Sequence, residues 1–94
     1  MYYNKQGKQI ELMEFAKLSQ DRSYKNIKQT TLKDGKWIST VWLGINHSFD
    51  KNLLIFETMV FPNKGNWGEI DMDRYPTLKE AKAGHEKMVK KYKR

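Results

Sequence analysis

The chain has no cysteine, only two prolines and two histidines, and no apolar run near the roughly 20 residues that a membrane-spanning helix needs. Without cysteine there is no disulfide framework, no thiolate metal site and no thiol nucleophile. A secreted domain of 94 residues without disulfides is unusual. The first residues, MYYNKQGKQIELM, carry no apolar signal-peptide core. The expectation is a cytoplasmic protein with no membrane contact. A Gly-rich phosphate loop, a serine nucleophile elbow and a His-Glu-x-x-His pair are also absent. No metal site or cofactor is expected from these motifs.

What is present is charge and aromatic surface. There are 18 Lys/Arg against 11 Asp/Glu, a net charge of +7. Residues 1–36 hold eight basic and four acidic side chains, residues 37–76 three and five, and residues 77–94 seven and two. The positive excess therefore lies at the two ends. It favours polyanions, either nucleic acid or an acidic protein surface. Three Trp, five Tyr, four Phe and five Met supply area for a small core. The length is that of one domain, residues 1–94.

Periodicity orders the chain as strand-turn, helix, strands, helix. Tyr2-Tyr3 opens a short strand before the turn NKQG. Residues 10–19 form a helix with Leu12, Phe15 and Ala16 on one face and Ile10, Met13 and Leu18 beside them. Residues 24–32 have strand chemistry on a polar background. Asp34-Gly35 then predicts a hairpin with a two-residue loop, setting Leu32 opposite Trp37 and Thr30 opposite Ser39. The runs 36–45 and 53–61 are apolar on both sides, as in central strands covered on both faces. A further strand lies within 67–74, with Ile70 and Met72 facing inward. Thr77-Leu-Lys-Glu80 is a capping box, followed by the stripe Leu78, Ala81, His85, Met88 and Tyr92. The fold class is α+β: an antiparallel sheet of three to four strands with a short N-terminal helix and a C-terminal helix packed on it.

His47, Glu57 and His85 are the candidates for acid–base work, because they alone are titratable groups in apolar settings. Two imidazoles and a carboxylate can form a base and its orienter, but their spacing matches no metal motif. The structural alternatives are a core histidine at position 85, a turn residue at position 47, and an ion pair between Glu57 and Arg74, a Lys or a His. Glu69, Asp71 and Asp73 alternate, which places them on one strand face. Arg74 and Tyr75 lie just before the last helix, where a carboxylate or phosphate can be pinned. Lys79, Lys82, Lys87, Lys90 and Lys91 give that helix a basic side, which is either a nucleic-acid contact or a solvated face.

The stretches STVWLGINH (39–47), LIFETMVF (54–61), RYPT (74–77) and EAKAGHE (80–86) resemble a family of small uncharacterised phage and prophage proteins that carry them in this order. Tyr2-Tyr3, Gly7 and the short helix fit the same pattern, and family members often have Asp where this chain has Asn46. The resemblance implies a phage or prophage origin, a host-cell location and an accessory role. Small phage proteins of that kind bind a host or phage macromolecule, inhibitors of host defence among them. Trp42, His47, Glu57, Arg74, Tyr75 and His85 all fall inside the matching stretches.

Three functions compete. The first is a non-enzymatic binding module that meets a protein partner or a second copy through a sheet face with Trp37, Trp42, Phe56 and the 46–52 loop. The second is nucleic-acid binding through the lysines of the last helix. The third is a small hydrolase or nucleotide-binding pocket around His47, Glu57, Arg74 and His85.

Overall fold

Alternating side chains and one strong helical stripe resolve into a four-stranded meander roofed by a long helix. A computed structural model describes residues 1–46 and 53–93. In chain order they form β1 (Tyr2–Tyr3), β2 (Gln9–Ile10), α1 (Leu12–Ser19), α2 (Arg22–Lys25), β3 (Asn26–Thr31), β4 (Trp37–Trp42), β5 (Phe56–Phe61), β6 (Asp71–Tyr75) and α3 (Leu78–Tyr92). β1 and β2 make a two-stranded ribbon, and β3-β4-β5-β6 form one antiparallel sheet in sequence order. The chain is therefore an α+β protein, with α3 packed against all four strands of that sheet.

Successive strand residues point to opposite sides. Ile38, Thr40 and Trp42 of β4 pair with Val60, Thr58 and Phe56 of β5. All six are at most 1% exposed, on the side that α3 covers. From α3, Ala81, His85 and Met88 descend onto them and are buried. Thr77 caps this helix by accepting a hydrogen bond from the Glu80 amide at 3.1 Å. The ribbon and α1 pack at the Trp42 end. Phe15 and Tyr24 lean on the Trp42 ring, and Trp42 Nε1 donates to the Tyr3 carbonyl at 3.0 Å.

Several expectations from sequence are corrected. The β3–β4 hairpin is slipped by one residue: Thr31, Thr30 and Gln29 pair with Trp37, Ile38 and Ser39. A type I′ turn needs positive φ at two positions. Here Gly35 alone is positive, at 94°, so the loop takes three residues, 33–35. The slip sends Leu32 to the α3 side, against the Ile38–Val60–Met88 cluster. Ile10 belongs to β2, and α1 leaves Leu12 58% and Met13 82% exposed instead of burying a full stripe. In β6 the α3 side carries Asp71, Asp73 and Tyr75, since these pair with Val60, Thr58 and Phe56. Met72 lies on the opposite side, and Ile70 precedes the strand, 48% exposed.

Tyr75 reaches α3 at Gly84. A Cβ at position 84 would lie 2.2 Å from the Tyr75 ring, so glycine is required there by close approach. Alanine is the better helix former by about 1 kcal/mol. Gly84→Ala is nevertheless expected to destabilise the fold by about 1–3 kcal/mol through overpacking. Urea denaturation checks this, and an unchanged or higher midpoint contradicts it.

Candidate functional site

The sheet face turned away from α3 is bordered by α1 and α2. It carries Trp37, Ser39 and Val41 from β4, and Glu57, Met59 and Phe61 from β5. Trp37 and Phe61 are cross-strand partners whose rings stack at 5.4 Å and 29°. Trp67 stands edge-on to both, at 6.0 Å from Trp37 and 5.6 Å from Phe61, and remains 71% exposed. The β5–β6 connection holds it there through a repeated local motif. Asn63 Oδ1 accepts from the Gly65 amide and Asn66 Oδ1 from the Gly68 amide, each at 3.0 Å. These are Asx turns built from Asn-x-Gly.

Beside this cluster a groove of about 690 Å³ runs towards α1 and α2. Arg22, Lys25, Asn26, Gln29, Trp37 and Trp67 line it, together with apolar side chains such as Val41 and Leu43. No carboxylate lines it, and neither Arg22 nor Lys25 has a salt bridge among the described residues. The two cations sit on α2 because Asp21 starts that turn. Its side chain accepts from the Ser23 and Tyr24 amides, and Tyr24 then turns onto Trp42.

Glu57 lies at the other end of the same face. Its Oε2 accepts from Arg74 Nε at 3.0 Å, across the β5–β6 register pair. The carboxylate side chain is 9% exposed and the arginine side chain 34%. The ion-pair reading of Glu57 therefore describes what the structure holds.

His85 sits on the opposite side of the sheet. It is 0% exposed, with Thr30 Oγ1 2.7 Å from Nε2 and Thr40 Oγ1 2.7 Å from Nδ1. Thr40 in turn bonds Thr58 at 2.5 Å. Both ring nitrogens are satisfied, as a core histidine's must be. Burial holds its pKa below the ordinary value; nearby Glu86 opposes this and Lys28 adds to it. Glu86 and Lys28 are themselves an ion pair.

The sheet thus separates Glu57 and Arg74 from His85, and no base–orienter pair forms between them. His47, and with it residues 48–52 of the expected contact loop, lies outside the described residues. No group of three His, Asp or Glu able to hold a metal occurs among the described residues. Tyr75 belongs to the α3 side, and Trp42 is a core residue of that side whose ring also borders the groove. Burial raises the Tyr75 phenol above its ordinary value, and a hydrogen bond with Thr58 works against this. Phe56, expected on a contact surface with Trp42, is fully buried in the core. Of the α3 lysines, Lys91 is bound to Asp71, at 2.7 Å. Lys79, Lys82, Lys87 and Lys90 are exposed, on the far side of the molecule from Trp67.

Sequence reasoning overlooked Trp67, Arg22 and Lys25. The paired Asn-x-Gly motifs around Trp67 were the available signal. Compared with protein-family models, with curated proteins and with solved structures, the chain finds no match.

Two outcomes follow from the geometry. Arg74→Gln leaves a buried carboxylate without its cation and is expected to cost about 3 kcal/mol. Glu57→Gln leaves an arginine that reaches water and is expected to cost about 1 kcal/mol. Denaturant midpoints test the order, and a reversed order contradicts it. His85 has its folded pKa lowered, so the unfolded chain binds more protons in acid. Its contribution is complete above the unfolded value, about 6.5, and declines as pH falls below it towards the lowered folded value. The stability gap between wild type and His85→Gln should therefore narrow from about pH 7.5 to pH 5. A gap that is constant or widens contradicts the assignment.

Proposed function

We propose that the protein is a non-enzymatic binding module whose contact surface is the sheet face turned away from α3. The observation that carries this is Trp67, a large apolar side chain held 71% exposed by two Asx turns and seated on a ring pair beside a carboxylate-free groove. Water-exposed indole surface has a cost, and a fold that positions it deliberately has a use for it. The separation of Glu57 from His85 by the sheet supports binding over acid–base chemistry. The resemblance of the 39–47, 54–61, 74–77 and 80–86 stretches to phage and prophage proteins supports an accessory role, acting on a host or phage macromolecule.

The test is a comparison of retained macromolecules, protein and nucleic acid alike, on immobilised wild type, a Trp67→Ala/Met59→Arg variant and a Lys79→Gln/Lys87→Gln/Lys90→Gln variant. The expected result is at least a tenfold loss on the sheet-face variant only. Retention that survives there and falls on the helix variant overturns the reading.

A further inference from the structure

Resting on that reading, we infer that the groove between Trp67 and α2 is a single-strand nucleic-acid site, with Trp67 stacking a base and Arg22 and Lys25 holding its phosphates. Four observations carry this. The ring at the mouth is exposed on a fixed support, which is what base stacking needs. Two cations face the groove with no carboxylate to neutralise them, in a chain whose net charge is +7. Asn26 and Gln29 add amides, which can donate to and accept from a base edge together. The volume, about 690 Å³, lies within the range of small-ligand sites.

The other occupants fit less well. A second copy would bring the same Arg22 and Lys25 against their counterparts. An acidic peptide would pair with Arg22 and Lys25 but, unlike a run of nucleotides, does not bring a planar ring with every charge for Trp67 to stack. Duplex nucleic acid hides the base faces that Trp67 would stack. On α3 the ring among the lysines, Tyr92, lies beneath Lys91 and is bonded through its hydroxyl to Asp71, so that helix offers charge without a free ring for stacking.

Fluorescence anisotropy with labelled oligouridylate and oligothymidylate, at about 50 mM salt, reads the proposal directly. Saturable binding is expected, stronger for single strands than for the matching duplex. Trp67→Ala should weaken it about tenfold or more. Arg22→Gln/Lys25→Gln should lower the slope of log affinity against log salt by about 1.4. Trp67 is exposed and both cations lie on the surface, so circular dichroism is expected to show these variants folded. Absence of binding, equal binding of duplex, or loss only in the α3 lysine variant overturns the proposal. So does competition by polyglutamate with the same Trp67 dependence, which assigns the groove to an acidic protein segment. In that case, and where the oligonucleotides fail but a protein is still retained through Trp67, the binding-module reading stands and only its nucleic-acid form is lost.

Discussion

The clamp of His85 between two threonines fixes how α3 sits on the sheet. A buried imidazole without partners would cost several kilocalories per mole in desolvation. In this fold each nitrogen meets a hydroxyl, Thr30 from the edge strand and Thr40 from the centre, and Thr58 extends the chain of hydrogen bonds into β5. Three strands and α3 are thereby tied at one depth. Sliding the helix by a turn would break both imidazole bonds at once. The buried polar row thus selects one helix position where an all-apolar seam would admit several. Asp71 secures the far end, accepting from Lys91 Nζ and Tyr92 Oη at 2.7 Å each. Those bonds, Lys91 first, hold the Asp71 carboxyl below its ordinary pKa.

A roof on one side decides the chemistry of the other. Strand alternation gives the remaining face Trp37, Val41, Met59 and Phe61, which are too apolar for a purely solvated surface. Part of it is shielded from within: Phe61 is 6% exposed under its ring neighbours, and Glu57 7% beside Arg74. What stays open is the Trp67 edge and the groove beside it. Stability and recognition are thus assigned to opposite faces of one sheet. A substitution on one side can be read separately from a substitution on the other.

Much of this was legible in the sequence, for identifiable reasons. The α3 stripe and its Thr77 cap are local and periodic, and both appear as expected. Asp34-Gly35 marks a hairpin correctly, but loop size depends on whether Asp34 takes positive φ, which sequence does not reveal. The one-residue slip that results moves Leu32 from Trp37's row into the core. Apolar residues on both sides of β4 and β5 indicated two buried faces. Only one is roofed, because the other is capped by its own rings. His85 as a core residue and Glu57 as an ion-pair member were both open alternatives from residue type alone. Choosing between those and a shared pocket required knowing that residues 57 and 58 face opposite ways. Arg22 and Lys25 carried no sequence signal, since their place depends on a single helical turn ordered by Asp21 and Tyr24.

The absence of native cysteine allows the two-faced sheet to be tested with one thiol at a time. Met59→Cys and Val60→Cys place that thiol at adjacent positions of β5, on opposite sides. Reaction with a thiol reagent under native conditions should be ready at position 59 and should require unfolding at position 60. Protection at both positions, or reaction at both, would contradict a sheet roofed on one side and open on the other.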